Sequence, residues 1–209
     1  MRRSGAWMML IAGACALGGC KSPSPHARRD GQANWDEVRA RIKYQLAREQ
    51  FESGRPEETA RTALEALALD ERFLDAYVLL CRAQIEMADT SSALRTLSAA
   101  RGAELDAPVL FYLEGVAAEM SGDPVAALAR YRAARQGQPN NADFLAAEVE
   151  LMVAQGAPDA ALQLLKEHAR PNENDATLDA LAARLAVLVG DADYADHCYR
   201  AASRKASHP

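Results

Sequence analysis

Residues 121–140 read SGDPVAALARYRAARQGQPN. Gly122 can take the left-handed conformation that ends a helix. Asp123 can accept a hydrogen bond from a free amide at the start of the next one. Pro124 suits a first helical turn, where its missing N–H costs nothing. Ala127 and Ala134 then lie seven residues apart on one helical face, with the larger Tyr131 between them. The stretch therefore predicts a tight turn followed by a helix whose small residues admit a close neighbour.

The same signals recur outward in both directions. Gly54, Gly122, Gly156 and Gly190 share a 34-residue register, with Ala88 in the remaining place. Pro56, Pro124 and Pro158 each stand two residues after it, and Asp89, Asp123 and Asp191 one residue after it. Ala93, Ala127, Ala161 and Ala195 form a second column, and Ala66, Ala100, Ala134 and Ala202 a third. A fourth carries Ala63, Leu97, Tyr131, Leu165 and Tyr199. No insertion or deletion breaks the beat. Each unit is helix, turn, helix, and stacked units bury a core that none could bury alone.

Composition agrees with this reading. Hydrophobic residues make up 49% of the 209 and aromatics only 6%, so alanine-rich helix packing is favoured over a β-sandwich. Length allows one medium domain or one short array, not two large enzyme domains. Net charge is −5 with both signs interspersed. Without a basic stripe, nucleic acid is not expected as a partner.

These columns resemble the tetratricopeptide repeat (TPR) family over residues 40 to 203, in five units starting near Ala40, Leu74, Pro108, Ala142 and Ala176. The third unit matches best, with Phe111, Gly115, Ala127, Tyr131, Ala134 and Pro139. The first helices depart from the pattern. Lys43 and Asp179 replace an aromatic, and Glu114 and Glu148 replace leucine. The resemblance implies an all-α, right-handed superhelical α-solenoid spanning residues 36–205, followed by a tail at 206–209. It further implies that the first helices line a groove that binds a protein or peptide segment. Carried over residue by residue, the groove positions are Tyr44, Arg48, Phe51, Arg82, Ile85, Tyr112, Val116, Glu119, Glu150, Arg184 and Val187. Arginine and tyrosine among aliphatics are typical of binding hot spots. Arg48 and Arg82 make the first two units the more basic part, which suggests acidic groups on the partner.

The N-terminus carries a different message. Arg2 and Arg3 precede an apolar stretch from Ala6 to Gly19, too short to span a bilayer, which needs roughly 20 apolar residues. It ends in Leu17-Gly18-Gly19-Cys20. This looks like the lipobox of bacterial lipoproteins, which implies a signal peptide over 1–19 and acylation of Cys20. Several acyl chains on one cysteine would anchor the chain stably to a membrane. Residues 20–35, polar and broken by Pro23 and Pro25, read as a flexible tether. Arg28 and Arg29 are either solvated or set against anionic headgroups. Lys21, rather than an acid, leans toward the outer membrane of a periplasm-facing cell envelope.

Cys81 and Cys198 remain in the body, three repeats apart, too far to bridge. They read as buried small hydrophobes, or Cys198 as a site for an intermolecular disulfide. A second copy docking at the C-terminal end is compatible with the absence of an extra capping helix. Arg200, Arg204 and Lys205 could instead keep that end soluble.

No HExxH, GxSxG, CxxC or phosphate-cradling glycine loop occurs. His26 lies in the tether and His208 in the tail, His168 in the small-residue register, and His197 beside Cys198 at an unsuitable helical angle for a shared metal. No catalytic residue, metal site or cofactor is expected. Glu114 and Glu148 read as one solvated or groove-facing column on stacked helices. Three functions follow, in order: a membrane-anchored interaction scaffold or assembly factor; a periplasmic adaptor docking peptidoglycan-processing enzymes; and an enzyme whose site has no recognised motif.

Overall fold

The computed structural model describes the backbone of residues 25–168 and 176–206, and the side chains of 34–168 and 176–205. The signal stretch, Cys20, Lys21, the side chains of Arg28 and Arg29 and residues 207–209 lie outside the described residues. The chain divides into a unit of residues 1–35 and one of residues 36–209; the packing below is that of the second.

Among the described residues there are ten helices and no strand. They are α1 (Pro25–Glu52), α2 (Pro56–Leu67), α3 (Leu74–Glu86), α4 (Thr90–Gly102), α5 (Pro108–Met120), α6 (Pro124–Gly137), α7 (Ala142–Ala154), α8 (Pro158–His168), α9 (Ala176–Val189) and α10 (Ala192–Ala206). Four of the five first helices begin at the expected residues, Leu74, Pro108, Ala142 and Ala176. The exception is α1, which runs back to Pro25 through much of the stretch expected to be a tether. Proline is tolerated in a first helical turn, and Ala27, Arg28 and Arg29 are good helix formers. The backbone of residues 25–35 is helical, not a loose linker. No described helix is long and apolar enough to cross a membrane.

The turns follow from their columns. Gly54, Gly122, Gly156 and Gly190 have φ between 67° and 85°, and Ala88 takes φ 55° despite its Cβ. At all five, the amide of the next residue reaches the carbonyl five residues back: Arg55 to Gln50, Asp89 to Gln84, Asp123 to Ala118, Ala157 to Met152 and Asp191 to Ala186, at 2.9–3.0 Å. This is the Schellman closure. The aspartates cap as expected, each carboxylate accepting from an amide three residues on: Ser92 to Asp89, Ala126 to Asp123, Tyr194 to Asp191. Hydrogen bonds from Ser92 and Ser91 hold the Asp89 carboxyl below its usual range.

From α2 to α10 each helix packs on the next in the chain, and α3 also meets α5, as α7 meets α9. The core is built of small residues with Leu and Tyr spacers. One cluster runs from Ala47 to Ala117 through α1–α5, and another from Leu145 to Cys198 through α7–α10. Ala127, Tyr131 and Leu151 form a small cluster of α6 and α7. Burial of a leucine such as Leu80 or Leu165 contributes about 1.5–3 kcal/mol. Gly115 lies under Tyr131, where an added Cβ would come within 2.5 Å of the ring.

Glu114 and Glu148 are neither solvated nor in the groove. Both are buried at junctions between repeats. Glu114 of α5 is held by Arg101 of α4 and Arg130 of α6. Glu148 of α7 sits between Arg132 and Arg135 of α6, at 3.0 and 2.6 Å. Arg135 also approaches the half-buried His168 at 3.2 Å. A carboxylate survives burial here because guanidinium groups from neighbouring helices meet it.

Candidate partner-binding groove

Turn-by-turn spacing on the first helices sets three columns side by side. Tyr44, Val78 and Tyr112 share one register; Arg48, Arg82 and Val116 the next; Phe51 and Ile85 the third. All eight line two cavities along α1, α3, α5 and α7, of about 330 and 490 Å³, which share Phe51, Val78 and Arg82 and so form one continuous groove. Its far end is closed by Gln138, Asn141, Asp143 and Phe144, from the α6–α7 turn and the start of α7.

Rings stiffen the floor. Tyr112 stacks on Phe144 with centroids 5.3 Å apart, and leans on Tyr131 at 5.7 Å. Tyr44 packs against Phe73 at 5.1 Å. The Arg82 guanidinium lies over the Phe51 ring, 5.5 Å from its centroid, a cation–π contact. Arg48 pairs with Glu52 at 3.6 Å. Burial, reinforced by Asp143 and opposed by Arg82, raises the Tyr112 hydroxyl above its ordinary range. Tyr44 is raised by burial and Asp75, against Arg48 and Arg82. Both phenols are therefore neutral hydrogen-bonding groups.

Of the eleven expected groove residues, seven line it: Tyr44, Arg48, Phe51, Arg82, Ile85, Tyr112 and Val116. Glu119 is exposed and accepts from the Tyr131 hydroxyl at 2.8 Å. Glu150, Arg184 and Val187 are exposed but line neither cavity. Val78 was legible, since it stands midway between Tyr44 and Tyr112. Gln138 and Asn141 were not, because they belong to a connection between repeats and follow no first-helix register.

Cys81 and Cys198 are buried free thiols. Burial pushes the Cys81 thiol up to about 12 and also raises Cys198, whose 4% exposure shelters it from disulfide exchange. His197 is exposed and stacks toward Tyr194. Among the described residues, no three His, Cys, Asp or Glu side chains gather as a metal site.

A family model for the tetratricopeptide repeat matches residues 118–185. No curated protein matches the chain. Among solved structures, it is similar to PilF of Pseudomonas aeruginosa, with 16% identity, 85% of this chain and 78% of that one covered, and a TM-score of 0.69. It is also similar to PilW, a type IV pilus biogenesis factor, at 17% identity, 81% and 79% coverage and a TM-score of 0.65. YrrB, a TPR protein with an unusual peptide-binding site, aligns at 16% identity over 87% and 92% with a TM-score of 0.55. The helical bounds, the recurring turns and these likenesses agree on one fold: an all-α solenoid of TPR repeats.

Proposed function

We propose that this chain is a protein-interaction scaffold, fastened to a membrane of the cell envelope through acylated Cys20, that holds a segment of a partner protein along its first helices. The observation that carries it is the continuous groove from Tyr44 to Phe144, apolar at its floor and polar at its rim. Such a surface combines buried area with directional contacts, the requirements of a peptide site. The lipobox-like end of the leader supports the anchor. Similarity in fold to PilW, a type IV pilus biogenesis factor, supports an assembly role.

A photo-crosslinking residue placed at Val78 or Val116 tests the groove, with Val125, exposed on α6, as the comparison site. Expression in the native cell should give an adduct with one partner from the two groove positions and none from Val125. No groove adduct, or the same adducts from all three positions, would end this reading. Cys20→Ser tests the anchor: the variant should move from the membrane to the soluble fraction, and an unchanged distribution counts against acylation.

A further inference from the structure

We infer that the groove takes a basic segment with an apolar face. This rests on the groove being the binding surface. Four carboxylates line it, Glu52, Asp75, Glu86 and Asp143, against two guanidinium groups, Arg48 and Arg82. Both arginines are already engaged, Arg48 with Glu52 and Arg82 on the Phe51 ring. Asp75, Glu86 and Asp143 make no ion pair among the described residues, so a ligand's charge meets three uncommitted acids. At each tyrosine the largest single charge effect comes from an acid, Asp143 at Tyr112 and Asp75 at Tyr44. Arg48 and Arg82, expected from sequence to attract acidic groups, are outnumbered where they stand.

Charge complementarity of this kind contributes to specificity and to the rate of association, and is screened by salt. The apolar lining, chiefly Phe51, Val78, Ile85, Tyr112, Val116 and Phe144, supplies the anchor that charge alone lacks.

The test uses the whole chain and two synthetic amphipathic peptides of about 18 residues, long enough for five helical turns. They share one apolar face; one carries lysine at every polar position and the other glutamate. Fluorescence anisotropy should show the lysine peptide binding at least about tenfold tighter, with affinity falling as salt rises. Glu86→Lys with Asp143→Lys should weaken it about tenfold. Glu57→Lys with Asp159→Lys, which changes net charge equally at the starts of α2 and α8, should leave it unchanged. Equal loss in the two double variants, preference for the glutamate peptide, or no binding by either peptide would overturn the inference. Its failure is separable from that of the groove. Adducts from Val78 and Val116 whose captured segment is acidic would overturn the charge assignment and leave the binding surface standing, whereas absent adducts remove the surface itself.

Discussion

Repeats two and three have the same helix-start spacing and the same aspartate cap, yet differ in the chemistry set on it. Their first helices, Leu74–Glu86 and Pro108–Met120, are offset by one period with no change of length. Repeat two meets its predecessor with Leu80, and Leu67 occupies the facing column of α2; both are buried. Repeat three has Glu114 and Arg101 in those places, and repeat four repeats the substitution with Glu148 and Arg135. Apolar and ionic junctions therefore occupy one geometry. The backbone register comes from the turns and the small-residue columns, not from the ion pairs. A buried pair is weak evidence for stability, but removing half of it is costly, because the other charge stays behind.

The largest expected effect separates the two ionic junctions. Glu148 is 2% exposed, and the side chain of Arg135 only 14%. Glu148→Leu strands that guanidinium and should destabilise by about 3 kcal/mol. Glu114→Leu frees Arg101 and Arg130, both nearly half exposed, which can turn to water, so its cost should stay below about 1 kcal/mol. Arg135→Leu combined with Glu148→Leu copies the Leu67–Leu80 junction and should recover most of the loss. Urea unfolding of these three variants and of Arg135→Leu alone reads the coupling. Equal costs for the two single leucine changes would mean that burial of the arginine is not what distinguishes the junctions.

A middle-sized effect concerns volume. Cys81 and Leu97 of repeat two become Gly115 and Tyr131 in repeat three, a smaller residue on one helix for a larger on the other. Gly115→Ala drives a Cβ into a ring that is 2% exposed and tilted against Tyr112. Overpacking of this kind costs about 1–3 kcal/mol. Tyr131→Leu in the same chain restores the proportions of repeat two and should return part of the stability. Thermal unfolding decides it. A neutral Gly115→Ala would show that the ring can yield. Because Tyr131 supports Tyr112, the single variant should also weaken whatever the groove holds.

These contrasts mark what sequence could disclose. Repeat bounds were legible to the residue at Leu74, Pro108, Ala142 and Ala176, because glycine, cap and proline sit at fixed offsets with no insertion. The lining of the groove was legible wherever a first-helix register carried it, as with Tyr44, Arg82 and Tyr112. Buried carboxylates were misread as solvated because a charged letter in a helix ordinarily faces water. The correcting signal was present: Arg101 and Arg135 precede Glu114 and Glu148 by one constant interval, and one period earlier both letters are leucine. Net charge along the groove was hidden for another reason. Glu52, Asp75, Glu86 and Asp143 come from three helices, α1, α3 and α7, and converge only in the fold.

The smallest effect lies in the turn that distinguishes these two repeats. Ala88 holds φ 55° where Gly122 holds 75°. A Cβ in the left-handed region costs about 1–2 kcal/mol, while glycine gives back roughly 0.5–1 kcal/mol through the freedom of the unfolded chain. The net gain from Ala88→Gly should be about 0.5 kcal/mol, a rise of roughly 1–2 °C in the unfolding midpoint for a chain of this size. Gly122→Ala should move the midpoint down by a similar amount, since nothing stands within 4 Å of the added methyl and only the backbone resists it. The two variants thus measure the same conformational preference with opposite signs. If Ala88→Gly instead lowered the midpoint, the alanine would be contributing contacts that outweigh its strain, and the repeats would differ at the turn by packing rather than by backbone conformation.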